Sequence, residues 1–205
     1  MAKSYVRFIA VCEINRTCAG RKSNHAEPTS PKSGHVQSHM DNTTQQQSLA
    51  EFSLAVRESS LKRFRAVPAG MENWRITPES MSIADLAEHL LRADEWLLRK
   101  IANPTTEIIT GNPGEVTIMR REEYDALVTR LVESGRRRAE LFRNMTDEEL
   151  ARRIPDDHYG DGIDSTIWWI LVRANLDHEI HHRGALAVYL RVLKEMTGAP
   201  IVALP

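Results

Sequence analysis

The sequence predicts an all-α fold, a four-helix bundle, on three observations. Four segments carry apolar side chains at helical spacing over roughly 20 to 30 residues each, enough to span ~30 Å at 1.5 Å per residue. Cap and terminator residues stand where each helix would start and stop. No internal repeat and no parallel-strand pattern competes with the helical reading.

Helix one is predicted over 45–66. Leu49, Phe52, Ala55, Val56, Ser59, Ser60, Arg63 and Phe64 approximate its i, i+3, i+4 stripe, and Pro68 and Gly70 close it. A loop with Trp74 and Pro78 follows. Ser82-x-x-Asp85 is a capping-box start for helix two, "SIADLAEHLLRADEWLLRKI", which Asn103-Pro104 ends. The segment 103–118 holds Pro104, Gly111, Pro113 and Gly114 and is long for a bundle connection, so it reads as a functional loop or a short hairpin. Helix three covers about 120–144. Thr146-x-x-Glu149 then caps a short helix, "DEELARRI", that stops at Pro155. The Gly/Asp-rich loop "DDHYGDGID" leads into the longest helix, Ser165 to about Met196, closed by Gly198 and Pro200.

Composition bounds the rest. Hydrophobic residues make up 41% of the 205, enough for one domain's core. No apolar run approaches a spanning length, and the Tyr5–Cys12 stretch is short and broken by Arg7, a poor secretory signal. The chain reads as soluble and cytoplasmic, with no membrane partner. Residues 1–40 hold six Lys/Arg against two acids, leaving 21 of the 27 Lys/Arg and 26 of the 28 Asp/Glu for residues 41–205, a balance of −5. Such a folded part is a poor general binder of phosphate backbones, which argues against a nucleic-acid partner. Residues 19–48 are too polar to offset their own ordering entropy, so residues 1–44 are expected to form a disordered basic extension. The bundle occupies 45–200, and 201–205 is a tail. Met40, just before the helical pattern begins, is a candidate true start; a transit peptide is the competing reading of the basic, acid-poor segment. Both cysteines, Cys12 and Cys18, lie in that extension, so the folded part has no cysteine ligand or nucleophile of its own.

The chemistry concentrates in "LDHEIHHRGA", which places three of the chain's eight histidines within five positions of the last helix. His178-Glu179-Ile180-His181-His182 matches the H-E-x-x-H pattern of zinc peptidases. His178 and His182 stand four apart on one face, with Cβ atoms roughly 5–6 Å apart, so two imidazoles can converge on one cation. His181 is three from His178 and could substitute, so spacing does not choose between His181 and His182. The third candidate is His89, in the middle of helix two, which a bundle can bring against the middle of helix four. His89, His178 and His182 would form a three-nitrogen site with an open position, the arrangement of catalytic rather than structural zinc.

The peptidase reading fails on residues. The extended form's third histidine is missing, and Gly184 falls two rather than three positions after His182. Glu195 lies about 20 Å along the same helix at 1.5 Å per residue. No edge strand is expected to hold a peptide, and Glu179 is expected at the surface or in support of a ligand. Asp85 could orient a ligand's second nitrogen or serve only its capping box. Tyr189 could line the pocket or pack in the core, and Arg183 could attract a carboxylate or form a salt bridge. Gly184, Ala185 and Ala187 remove bulk, which permits close helix approach or leaves room for a ligand. Arg136-Arg137-Arg138 reads as a solvated face, and His158 as a residue of a loop lid.

"HEIHHRGALAVYLRVLKEMTG", preceded by "NWRITPESMSIADLAEHLLRADEWLL", resembles the DinB/YfiT-like superfamily of metal-binding four-helix bundles over about residues 45–200. The resemblance implies a DinB-like bundle with long inter-helix loops, His89, His178 and His182 as metal ligands, and His181 outside the set. Ala185 departs from the pattern, since many relatives have glutamine there. Relatives include mycothiol- and bacillithiol-dependent transferases and isomerases, and metal-dependent hydrolysis has also been proposed. The expectation is a divalent-metal-dependent enzyme, with zinc or nickel favoured and iron or copper also suited to imidazole. It would use a low-molecular-weight thiol cosubstrate on a small-molecule electrophile. Hydrolysis of a small substrate and non-catalytic metal or small-ligand binding are the alternatives, and a homodimer through helix faces is compatible with the fold.

Overall fold

The computed structural model describes residues 44–108, 111–156 and 163–198. Apart from Thr44, the basic extension lies outside the described residues, as do Cys12, Cys18, Met40, His158 and the tail. Among the described residues no helix is long and apolar enough to cross a membrane.

Helix α1 spans Gln45–Arg65 and starts at Thr44, whose side chain accepts from the Gln47 amide. Helix α2 spans Ile83–Ala102 and opens with the full Ser82/Asp85 capping box. Helix α3 runs Arg121–Asn144, and α4, Asp147–Ala151, starts from the Thr146/Glu149 box. Here the expected helix to Pro155 ends early. Arg153–Asp156 form strand β1, paired antiparallel with β2, Ile163–Thr166, in the register Arg153↔Thr166 and Ile154↔Ser165. The physical reason is Pro155, which cannot donate to a helix and pushes Ile154 into an extended conformation. The pair is antiparallel, so the expectation of no parallel strands is untouched, and the short hairpin that 103–118 could have formed lies here instead.

The long fourth helix is also subdivided. Ser165 and Thr166 belong to β2; Thr166 caps α5, Ile167–Trp169. A π-helical stretch, Ile170–Asp177, follows, and α6, His178–Thr197, continues from it with helical backbone angles at the junction until Gly198 takes the left-handed φ of 61°. The segment 103–118 is not a hairpin among its described residues. Its amides go to side chains instead: Asp85 accepts from Gly114 and Val116, and Asn73 exchanges two hydrogen bonds with the Ile118 backbone.

Helix α1 packs on α3 and α6, and α2 packs on the same two, so the four long helices form a ring in the order α1, α3, α2, α6. Two apolar cores fill it. One holds Leu61, Phe64, Leu86, Leu90, Tyr124, Leu131, Leu186 and Leu190; the other holds Ala50, Trp96, Leu97, Phe142, Ile167, Ile170 and Leu171. Between them lies a layer of buried charge made by Arg57, Asp94, Arg138 and Glu179. This layer explains why the expected α1 stripe is misphased. The buried face runs Leu49, Ala50, Ser53, Val56, Arg57, Ser60, Leu61, Phe64, while Phe52 is 50% exposed, because Ser53 and Arg57 turn inward to meet charges across the bundle. Arg136 and Arg137 are exposed as expected, but Arg138 is not part of a solvated face: only 1% of it is exposed.

Candidate metal centre

His89 lies beside the buried stripe of α2, and His178 and His182 stand one turn apart at the start of α6, directly after the π-helical stretch. The bundle brings all three together. The His89 and His178 Nε2 atoms are 3.0 Å apart, those of His178 and His182 are 2.8 Å apart, and one nitrogen from each ring lies within 4.8 Å of the others. The rings meet edge to face at centroid distances of 4.4–4.8 Å, and each histidine is half-buried. His181 is exposed; its ring touches that of His182 at 5.2 Å but does not join the cluster.

Electrostatics keep these bases ready to donate lone pairs. Burial, followed by the charge of Arg92, lowers the His89 pKa against the opposing pull of Glu115. Burial and then the neighbouring His178, His89 and His181 push His182 down to about 3. His182 is therefore a neutral imidazole at neutral pH, and no proton must be displaced for it to coordinate.

The donor set fits a divalent ion. Nitrogens bound at ~2.0–2.1 Å in a tetrahedral site stand ~3.3–3.4 Å apart. The 2.8 and 3.0 Å separations fall a few tenths short of this, so small ring rotations would seat a cation. Three nitrogens aimed at one another make a set that one shared cation would satisfy.

The surroundings are specific on the His89 side. Its Nδ1 is buried with no hydrogen-bond partner among the described residues, and a Cβ built on Gly111 would lie 2.6 Å from it. Glycine is what allows the 103–118 loop to approach this closely. The crevice lined by Met81, His89, Gly111, Glu115 and Val116 leaves no room for a water molecule. Arg92 pairs with Glu115, one of its lining residues. Asp85 does not orient a ligand: it accepts from Ser82, Gly114 and Val116 and pairs with Arg75, so it caps α2 and straps the loop.

Tyr189 belongs to the core, 8% exposed, with its ring edge-on to Trp74 and its hydroxyl donating to the Met81 carbonyl. Arg183 forms no salt bridge among the described residues; it lies near enough to Arg63 for the two charges to oppose each other. Gly184 is exposed, with nothing within 4 Å of where its Cβ would be, so it does not serve close helix approach. Ala185 and Ala187 are half-buried.

Of the two positions expected for Glu179, the structure excludes the surface one. It is 1% exposed and accepts from Arg57 Nε at 2.9 Å, Arg57 Nη2 at 3.0 Å and Arg138 Nη1 at 2.7 Å. Although burial opposes ionisation, Arg138 and Arg57 hold its carboxyl below the usual range. A carboxylate so occupied is no general base, so the glutamate of the H-E-x-x-H match cannot act as one in a peptidase. The overlooked signal was polar residues in phase with the apolar stripes: Arg57 four after Ser53, Asp94 four after Leu90, and Arg138 four after Ser134.

A family model described as the DinB family matches residues 40–193. Among solved structures, the fold is similar to a crystal structure of a DinB-like protein from Bacillus subtilis. The two share 22% sequence identity with a TM-score of 0.53, over 76% of this chain and 96% of that one. That likeness carries the fold alone. No curated protein matches the chain.

Proposed function

The chain belongs to the DinB family, and from that premise we propose that it is a divalent-metal-dependent enzyme of thiol chemistry. In this reading His89, His178 and His182 hold one ion, zinc or nickel before iron or copper, and leave a position open to ligand. A low-molecular-weight thiol is the cosubstrate, and the reaction is S-transfer to, or isomerisation of, a small electrophile. The convergence of three half-buried imidazole nitrogens from two helices carries this reading. When bound, the ion would supply Lewis-acid stabilisation of negative charge on a sulfur donor.

The protein's own residues favour thiol over water as the nucleophile. Residues 41–205 contain no cysteine, so sulfur must arrive with a cosubstrate. Glu179, the carboxylate that follows His178, is locked between two guanidiniums and is poorly placed to take a proton from water. A thiol, whose ordinary pKa is near 8.5, needs much less help to ionise. Non-catalytic metal binding is the second reading, supported by the closed crevice beside His89.

The test is metal-loaded protein with a panel of biological thiols against several electrophiles, followed as loss of free thiol. The expected result is a metal-dependent rate that His182→Ala removes. Ester or amide cleavage without added thiol would replace this reading with hydrolysis, and silence in every assay with metal tightly bound would replace it with the binding one.

A further inference from the structure

The two carboxylates of the buried charge layer lie close in sequence to the proposed metal ligands. Glu179 follows His178, and Asp94 comes five residues after His89, so each of the two ligand-bearing helices contributes one carboxylate. The other two helices contribute the cations. Arg57 on α1 donates to Asp94 at 2.8 Å and to Glu179 at 2.9 Å; Arg138 on α3 donates to the same pair at 2.9 and 2.7 Å. Each guanidinium therefore ties α2 to α6. The spare valences are filled: Ser134 and Asn175 donate to Asp94, Arg57 donates to the Leu131 carbonyl, and Arg138 donates to the Ser53 hydroxyl and carbonyl. Asn175 lies in the π-helical stretch, so the winding just before His178 is held by the same layer. The four charges sum to zero and are all less than 4% exposed.

Such a layer is an uneconomical way to hold helices together. Desolvating buried ions offsets most of their attraction, and an apolar layer of similar volume is often as stable or more so. Apolar contacts, however, are non-directional, and the two cores on either side would tolerate rotation of one helix against another. Fork-shaped hydrogen bonds do not. A slip of α6 by one residue would turn it by about 100°, at 3.6 residues per turn, and carry His178 and His182 away from His89.

We infer that Arg57 and Arg138 are positioning residues of the metal centre, which fix the rotation and height of α6 against α2 through Glu179 and Asp94. The inference rests on the three histidines binding metal, as proposed above. It differs from a purely structural role in one respect: in protein that is still folded, disturbing the layer must loosen the site.

The experiment measures zinc affinity by chelator competition and the visible spectrum of bound cobalt(II), which reports coordination geometry, in the full chain. Glu179→Gln and Asp94→Asn, assayed well below their melting temperatures, are expected to bind zinc roughly ten- to a hundredfold more weakly, with altered cobalt bands. Phe142→Leu, a change in the adjacent core that touches none of the layer's hydrogen bonds, is expected to lower Tm and leave zinc affinity in place. Gly135→Ala supplies a milder disturbance should the charge variants not fold. Its Cβ would lie 2.7 Å from Arg57 Cγ, so it displaces the guanidinium without removing a charge, and a several-fold loss of affinity is expected. Unchanged affinity and spectra in folded layer variants would overturn the positioning role alone. Failure of the wild-type chain to bind zinc through its histidines would instead overturn the metal site, and this inference with it.

Discussion

The ionic layer and the histidine cluster are neighbours on α2 and α6, and Glu179 follows His178 directly, yet they are completed in different ways. In the layer two cations meet two anions, and each guanidinium reaches both carboxylates. Every charge is answered inside the protein, and the group is sealed. In the histidine cluster three like groups meet with no acid among them; the bases are half-buried and His182 is held neutral by burial and by its neighbours. The first cluster needs nothing from outside. The second gathers lone pairs that a shared cation would satisfy together.

That difference predicts opposite responses to mutation. Arg138→Met should be the most destabilising single change, about 3–5 kcal/mol, because it leaves two buried carboxylates sharing one guanidinium. His178→Ala in metal-free protein should cost about 1 kcal/mol or less, since it removes a half-buried ring crowded by two others. Chemical denaturation of both variants without metal measures the contrast, and equal losses would break it.

Acid should separate the clusters next. The folded pKa of His182, about 3, lies below its unfolded value of ~6.5, so the unfolded chain takes up the proton first. Metal-free stability should therefore decline as pH falls from ~6.5 towards 3, and His182→Ala should flatten that decline. Asp94 acts lower. Burial raises its pKa, but Arg138 and Arg57 outweigh this and set it below the usual range. Its contribution is then fully present above the ordinary Asp value of ~3.9 and is lost only as pH falls through the depressed folded one. A single acid transition unaffected by His182→Ala would contradict the separation.

Smaller effects come from the rim. Gly111→Ala presses a methyl group against the His89 ring and the end of Met81, and should weaken zinc binding several-fold with little change in helix content by circular dichroism. His181→Ala should have the least effect on zinc affinity, because that ring is exposed and outside the cluster.

The sequence made one of these clusters legible and hid the other. Histidines are few, so three within five positions and a fourth at mid-helix stand out, and the Ser82/Asp85 and Thr146/Glu149 boxes mark helix starts that the structure reproduces. Arginine and glutamate are common and normally solvated, so Arg57, Arg138 and Glu179 read as surface until their partners are known. Those partners are 37 to 122 residues away, a relation that no local pattern carries. The β1–β2 pair escapes the sequence for a related reason: two strands of four residues each are too short to show a period against a capped helix. The π-helical stretch leaves no apolar signature, because its residues continue the stripe of the helix around it.

The central claim is that His89, His178 and His182 form a metal site, and the most direct test is zinc-binding stoichiometry of the purified full chain beside its His89→Ala variant. One equivalent per chain in the wild type, lost in a His89→Ala protein that keeps its helical circular dichroism, is the predicted result. Binding of equal strength and stoichiometry in both proteins would contradict it.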